Sequence, residues 1–229
     1  MKVSEVFCSI QGEGKLMGLP SAFVRVSGCN LRCSWCDSPY ASWQPQGQDM
    51  TIDDILQRVA AFPTRHVVLT GGEPMIMPDM PHLCAALKAT GYHLTLETAA
   101  TVYTPVHIDL ASISPKLANS TPADPPGSQF ARMHEQQRLN PPVIQQFIDA
   151  SPDFQLKFVV SSENDLPEIQ QILASLRGWR PADVLLMPEG THPATLAQRA
   201  PWIVEACKQT GYRYCPRLHI QLYGHRRGI

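Results

Sequence analysis

The stretch AFVRVSGCNLRCSWCDS, residues 22–38, joins a short apolar strand to a loop that carries three cysteines within eight positions. These cysteines are Cys29, Cys33 and Cys36. Three thiols this close together can hold a metal, carry redox chemistry or simply be buried. The composition and the other motifs of the chain distinguish among these three roles.

The 229-residue chain has the length of one α/β domain, and residues 1–229 are interpreted as a single domain. A formal net charge of -1 gives no field that would attract nucleic acid or anionic lipid. No apolar run approaches the ~18 residues of a membrane span. Residues 1–14 are not typical of a signal peptide, because Glu5 interrupts the apolar run. We therefore expect a soluble cytoplasmic protein that binds neither nucleic acid nor membrane.

The cysteine content fits that compartment, because cytoplasmic cysteines are usually thiols or metal ligands rather than disulfides. A structural zinc site uses four ligands, and the histidine nearest to the three clustered cysteines is distant His66. On a 4Fe–4S cluster, three thiolates leave one iron open to a small molecule. The remaining cysteines lie singly among apolar neighbours and are predicted to fill the core: Cys8, Cys84, Cys207 and Cys215.

Short β-branched runs alternate with amphipathic helical patterns along the chain. Thr51 is a predicted helix N-cap with Asp54 three residues on, and Gly91 is a predicted C-cap. Pro201 is expected to bend or divide the last long helix. This alternation predicts an α/β fold with a largely parallel sheet and crossover helices. The predicted strands are Val3–Cys8, Ala22–Val26, His66–Thr70, His93–Glu97, Ile108–Ile113, Leu156–Val160, Val184–Met187 and Tyr212–Leu218.

Residues 117–142 interrupt this alternation. The segment is rich in proline and polar residues, and we predict a long irregular loop. Loops of this length often cover a site, although a variable surface insertion explains the segment equally well.

A second motif, HVVLTGGEP at residues 66–74, runs a β-branched strand into two glycines, which let a ligand approach the backbone closely. With the C-x-x-x-C-x-x-C spacing and the aromatic residue before its third cysteine, the motif resembles the radical S-adenosylmethionine (SAM) superfamily. The resemblance implies a 4Fe–4S cluster on the three cysteines, SAM at the open iron, and an abbreviated partial barrel. It also implies cofactor contacts from Trp35, Asp37, Gly71, Gly72, Glu73, Glu97, Ser114, Pro115, Lys116 and Met187.

A more particular resemblance, to the 7-carboxy-7-deazaguanine synthase family, covers most of the chain. It implies conversion of 6-carboxy-5,6,7,8-tetrahydropterin to 7-carboxy-7-deazaguanine with loss of ammonia, in queuosine and deazapurine biosynthesis. A 5′-deoxyadenosyl radical would remove the C6 hydrogen, and SAM would be regenerated. Mg²⁺, an electron donor such as flavodoxin or ferredoxin, and a homodimer are also implied. The matching pieces are SIQGEG (9–14), AFVRVSGCNLRCSWCDS (22–38), TGGEP (70–74), LETAATVY (96–103), SISPK (112–116) and GHRRGI (224–229).

Arg25 is suited to the carboxylated substrate that this resemblance implies. Arg25 lies on the same strand face as Phe23, where a charge needs a partner, and a guanidinium can grip a carboxylate with two hydrogen bonds. An edge-strand arginine in solvent is the alternative.

The C-terminal tail, residues 215–229, is expected to lie over the site. By resemblance, the substrate contacts are Ile10, Gln11, Gly12, Glu13, Arg25, Thr70 and Ile229.

The residue two positions after the third cysteine is Ser38. In the family a hydroxyl residue at this position ligates Mg²⁺; many members have threonine, and serine keeps the oxygen. Mg²⁺ prefers oxygen ligands, few of them from protein. The alternative is that Ser38 and Pro39 start a turn.

Two other classes of function fit parts of the sequence. A radical SAM activase, which makes a glycyl radical on a partner protein, can have the same length and cysteine spacing. The SIQGEG motif and Arg25 favour a small pterin over a protein loop. A non-catalytic zinc or electron-transfer module lacks a fourth ligand. Glu97 could also be a solvated strand end, and Met187 part of a plain strand-to-loop turn.

Overall fold

The computed structural model describes residues 1–123 and 129–229, and the strands of these residues form one sheet. They are β1 (Lys2–Ile10), β2 (Pro20–Val26), β3 (Gln48–Asp49), β4 (His66–Gly71), β5 (His93–Thr98), β6 (Leu110–Ile113), β7 (Asp153–Val160), β8 (Val184–Pro188) and β9 (Arg213–Tyr214). The order across the sheet is β3-β1-β2-β4-β5-β6-β7-β8-β9. β1 is antiparallel to β2 and β3, whereas β2 and β4 to β9 are parallel. The predicted α/β class with a largely parallel sheet is confirmed.

Helices connect most of the parallel strands. They are α1 (Pro39–Ser42), α2 (Ile52–Ala60), α3 (Met80–Ala89), α4 (Gln129–Gln137), α5 (Pro141–Ala150), α6 (Leu166–Ala174), α7 (Pro193–Thr210) and α8 (Leu218–Tyr223). The N-cap prediction for α2 is confirmed, because the Asp54 amide donates to Thr51 Oγ1 and the Thr51 amide donates to Asp54 Oδ2. Gly91 follows α3 with a φ of 82°, as a C-terminal glycine does. None of the helices in these two ranges is long and apolar enough to cross a membrane.

Two predictions about irregular backbone are corrected. α7 runs from Pro193 to Thr210 through Pro201, so Pro201 does not divide the helix. The segment 117–142 is not an irregular loop, since it contains a 3₁₀ turn at Ala118–Ser120, all of α4 and the start of α5; its residues 124–128 lie outside the described residues. The one fully buried side chain of α4 is His134, so no apolar stripe marked this helix in the sequence.

The predicted strand Tyr212–Leu218 is reduced to two residues. β9 ends at Tyr214, and the Cys215 amide makes one further bond, to Leu186 O at 2.9 Å. Pro216 has no amide hydrogen to continue a ladder, and α8 starts at Leu218. The predicted C-terminal tail therefore contains a short helix, α8.

The two faces of the sheet have different partners, as β7 illustrates. Leu156, Phe158 and Val160 belong to the main core, which the helices cover. The alternate residues Lys157 and Val159 line a cleft on the opposite face. The sheet therefore presents one apolar face to its helices and one partly polar face to this cleft.

Candidate active site

The cleft opens at the carboxyl ends of the parallel strands, where α/β proteins bind ligands. The loop after β2, the glycine turn after β4 and the ends of β5, β6 and β8 form its walls, so positions far apart in sequence meet there. The predicted site residues that line it are Ile10, Gln11, Gly12, Glu13, Arg25, Cys29, Cys33, Trp35, Cys36, Asp37, Ser38, Thr70, Gly71, Gly72, Glu97, Ser114, Lys116, Met187 and Ile229. The predicted residues Glu73 and Pro115 are not part of this lining.

The three clustered thiols all reach the cleft and none forms a disulfide. Burial raises the pKa of Cys29 to about 12 and that of Cys33 to about 11, so both are protonated at neutral pH until a metal displaces the proton. Among residues 1–123 and 129–229, no three His, Cys, Asp or Glu side chains are placed to hold a single metal ion. Three unpaired thiols that line the same cleft fit the donor set of an iron–sulfur cluster.

The cysteine loop is held by side chains that fix its backbone. Trp43 Nε1 donates to Cys33 O at 3.0 Å, and Arg32 Nη1 donates to Cys29 O at 2.8 Å. The Arg32 amide donates to His134 Nδ1 at 3.1 Å, so Nδ1 is an acceptor. Burial lowers the pKa of His134 to about 4, and the ring is neutral. α4 therefore braces the cysteine loop from behind, a role that no sequence signal indicated.

The glycine turn packs backbone to backbone against the cysteine loop. A Cβ atom on Gly72 would lie 2.0 Å from Gly28 O, and Gly71 has a φ of 146°. Only glycine fits both positions, and both line the cleft. The Glu73 carboxylate lies beneath, accepting from Thr98 Oγ1 at 2.7 Å and from the Ala99 amide at 2.8 Å. Glu73 therefore supports the turn with its side chain, and its contact with SAM stays a prediction.

Glu97 joins two residues predicted to contact the substrate. Gln11 Nε2 donates to Glu97 Oε1 at 3.3 Å, and Thr70 Oγ1 donates to Glu97 Oε2 at 3.1 Å. Glu97 is thus not a solvated strand end, because both of its oxygens hold partners on the cleft wall. The three side chains form one hydrogen-bonded surface that can present an amide and a hydroxyl to a ligand.

Arg25 has the partner that its position requires. Its Nε lies 2.7 Å from Glu5 Oε1, and Tyr40 Oη donates to the same oxygen at 2.9 Å. Burial alone would lower the pKa of Arg25, but Tyr40 and Glu5 raise it above its usual value. Among the described residues, the hydrogen bonds leave both terminal nitrogens of Arg25 without a protein acceptor. A charged guanidinium with free donors is therefore placed at the cleft.

Buried charges connect Glu13 to the start of the tail. Glu13 forms ion pairs with Lys157 and, at 3.0 Å, with Arg217, whose Nη2 also pairs with Asp37. Burial opposes ionisation of Glu13, but Lys157 and Arg217 hold its pKa well below the usual range. Arg217 likewise lowers the pKa of Asp37 to about 2, against the effect of burial. Glu13 and Asp37 are consequently ionised.

Sequence reasoning missed both cations of this network. Lys157 lies in the apolar strand FQLKFVV, and a lysine in such a strand is a signal of a buried partner. Arg217 lies in a segment that we predicted as a strand, and nothing in the sequence indicated its partners. Both residues line the cleft, and each side chain is under a tenth exposed.

Two further residues that were predicted to bind ligands, Ser38 and Lys116, form hydrogen bonds within the protein. Ser38 Oγ donates to Asp37 Oδ1 at 3.1 Å, which places two side-chain oxygens side by side. Lys116 Nζ donates to Ser114 O at 2.7 Å and lies 6.0 Å from the centroid of the Trp35 ring. All four polar residues, Asp37, Ser38, Ser114 and Lys116, line the cleft.

Known proteins match this chain over nearly all of its length. A radical SAM superfamily model matches residues 23–114, which contain the cysteine loop and the glycine turn. The 7-carboxy-7-deazaguanine synthase of Rhodopirellula baltica is 46% identical over 226 residues, covering 99% of this chain and 88% of that protein. The chain belongs to the 7-carboxy-7-deazaguanine synthase family. The synthase of Halobacterium salinarum is also 46% identical, over 233 residues that cover 97% of this chain and 90% of that protein.

A solved structure supports the fold of this family member. The crystal structure of QueE from Escherichia coli matches with a TM-score of 0.68 at 23% identity, covering 95% of this chain and 94% of that chain. Membership in the 7-carboxy-7-deazaguanine synthase family makes the chain a radical SAM enzyme, with a 4Fe–4S cluster and SAM as cofactors and a need for a reductant.

Proposed function

We propose that this protein converts 6-carboxy-5,6,7,8-tetrahydropterin to 7-carboxy-7-deazaguanine with loss of ammonia, in queuosine and deazapurine biosynthesis. One observation carries the proposal: the three cysteine thiols, the glycine turn and a charged pocket line the same cleft. A glycyl-radical activase is not favoured, because the 46% identity to named synthases extends across the substrate side as well as the cysteine loop.

One side of the cleft is proposed to bind the cofactors and the other side to bind the substrate. Bound there, the cluster and SAM supply the radical chemistry. The chain's own side chains position the reactants and keep the Cys33 thiol out of bulk water, since Cys33 is only 9% exposed. The proposed cofactor side comprises Cys29, Cys33 and Cys36 for the cluster and Trp35, Asp37, Gly71, Gly72, Glu73, Glu97, Ser114, Pro115, Lys116 and Met187 for SAM.

The substrate side begins at Arg25. Glu5 fixes its Nε, so the two terminal nitrogens are oriented to grip the pterin carboxylate as a fork. Thr70 and Gln11, both held by Glu97, offer polar groups to the pterin ring. The further proposed contacts are Ile10, Gly12, Glu13 and the terminal residue Ile229.

Mg²⁺ is proposed to bind at Ser38 together with substrate and water. The support is the buried Ser38 hydroxyl on the cleft wall, beside an ionised carboxylate of Asp37. We also propose that the enzyme is cytoplasmic, works as a homodimer and receives electrons from a flavodoxin or ferredoxin.

Ser38→Ala is expected to weaken Mg²⁺ stimulation while leaving the cluster intact. Removing the oxygen ligand should raise the Mg²⁺ concentration for half-maximal activity by roughly tenfold, which corresponds to about 1.4 kcal/mol. Turnover measured across a Mg²⁺ titration checks this, with Ser38→Thr as the control that keeps the hydroxyl. An unchanged Mg²⁺ dependence in the alanine variant would remove Ser38 from the metal site.

The function itself is tested by product analysis. Reconstituted, reduced enzyme is incubated without oxygen with SAM, Mg²⁺ and 6-carboxytetrahydropterin, and mass spectrometry is used to detect 7-carboxy-7-deazaguanine. We expect product in excess over SAM consumed, because SAM is regenerated. Cleavage of SAM without any deazaguanine product would refute the proposed substrate.

A further inference from the structure

Four of the last six residues line the cleft. His225, Arg226, Gly228 and Ile229 all line it, whereas residues 224–229 belong to no helix or strand. We call residues 224–229 the terminal strap. Because backbone ladders do not hold this strap, side-chain contacts must fix its position.

Arg227 supplies most of those contacts. Its guanidinium carbon lies 4.1 Å from the centroid of the Tyr40 ring, a close cation–π distance. Its Nε lies 3.4 Å from Glu5 Oε2, and its Nη2 donates to Ser4 Oγ at 3.2 Å. Its Nη1 donates to Gln46 Oε1 at 3.3 Å. One side chain thus connects the strap to β1, to α1 and to the loop before β3.

His225 also holds the strap, because its Nε2 lies 2.9 Å from Asp37 O. It joins the strap to the backbone of the cysteine loop. The Arg227 side chain is 45% exposed, so each of its polar contacts is individually weak. Their combination on one planar group gives the strap a defined seat.

Glu5 links the position of the strap to the proposed substrate contact of Arg25. Its two oxygens are divided between Arg227 and Arg25, and Tyr40 contacts both Glu5 and Arg227. Arg25 is the residue proposed to grip the substrate carboxylate. The group that latches the strap and the group that orients Arg25 are therefore the same carboxylate.

We propose that Arg227 is a positioning residue: it latches the terminal strap over the cleft through Tyr40 and Glu5, so that strap closure and the orientation of Arg25 are coupled. Arg227 does not line the cleft and is assigned no contact with the substrate. This inference rests on the proposed function for its kinetic effect, although the latch itself is a property of the chain.

The first test is kinetic. Arg227→Ala should raise the KM for 6-carboxytetrahydropterin by about tenfold, the fold-change that corresponds to 1.4 kcal/mol, and change kcat much less. Cluster absorbance and the KM for SAM should stay at wild-type values. Arg227→Lys, which keeps the charge but not the planar fork, should fall in between. The matched control is Arg65→Ala, because Arg65 lies 5.5 Å from the Tyr92 ring and does not line the cleft.

The second test needs no activity. Carboxypeptidase trimming of the C terminus, followed by intact-protein mass spectrometry, should be several-fold faster for Arg227→Ala than for the wild type or Arg65→Ala. In a Tyr40→Leu background, adding Arg227→Ala should change trimming less than it does alone, because the two residues form one contact. Wild-type trimming and wild-type KM in Arg227→Ala would overturn the latch. Absence of product from the wild type with faster trimming in the variant would refute the function and retain the latch.

Discussion

Cys33→Ala protein is expected to reconstitute without a full 4Fe–4S cluster and to lose SAM cleavage. Cys33 is 9% exposed, and Trp43 fixes its carbonyl, so the loop keeps its backbone anchor after the substitution. What disappears is one of the three proposed thiolate ligands, and two cannot hold the cluster as three do. Iron content and cluster absorbance should fall, and SAM cleavage should drop by at least about 100-fold, or roughly 2.8 kcal/mol.

The matched control for this loss is Cys207→Ala. Cys207 is also buried, and burial raises its pKa to about 11, but it lies on α7 and does not line the cleft. That variant should bind a full cluster and cleave SAM at the wild-type rate, with at most a small fall in Tm. A full cluster on Cys33→Ala protein would contradict the ligand assignment.

The local features of this protein could be read from its sequence. The alternation of strand and helix patterns predicted seven strands, β1, β2 and β4 to β8, to within a few residues. The spacing of Thr51 and Asp54 predicted the start of α2. The cysteine loop and glycine turn were found because their chemistry depends on neighbours in sequence. Family resemblance then added residues such as Thr70 and Ser38, which line the cleft.

The contacts between distant segments could not be read in this way. Glu5 on β1 orients Arg25, and His134 on α4 braces the cysteine loop, yet neither has a local pattern that indicates its partner. α4 itself was missed because it buries a histidine rather than an apolar stripe. The tail was predicted as a strand up to Leu218 because Tyr212 to Cys215 resemble one, and only Pro216 marks the end.

The second large effect is expected from Arg217→Met. The Arg217 side chain is 7% exposed and pairs with Glu13 and Asp37, and its Nη1 donates to Gly190 O at 2.7 Å. Removing one partner of a buried ion pair leaves the other charge without compensation, which costs about 3–5 kcal/mol. The lower end, about 3 kcal/mol, applies here because Lys157 stays with Glu13 and Asp37 is partly exposed. For a chain of this length Tm should fall by roughly 6–12 °C, and the substrate side should lose its order.

A second substitution distinguishes this charge effect from a simple loss of packing by the direction in which it changes Tm. Asp37→Asn added to Arg217→Met should recover part of the lost Tm, because it removes the carboxylate that Arg217 had compensated, whereas lost packing would leave the double variant no more stable. The control is Arg180→Ala, whose 79% exposed side chain pairs with Asp183 at 3.3 Å and should leave Tm unchanged. Arg217→Lys should be intermediate, since an ammonium cannot bridge two carboxylates and a carbonyl as a planar fork does. An Arg217→Met protein as stable as wild type would show that Glu13 and Asp37 reach solvent, and the buried network would then carry no role in holding the tail to the cysteine loop.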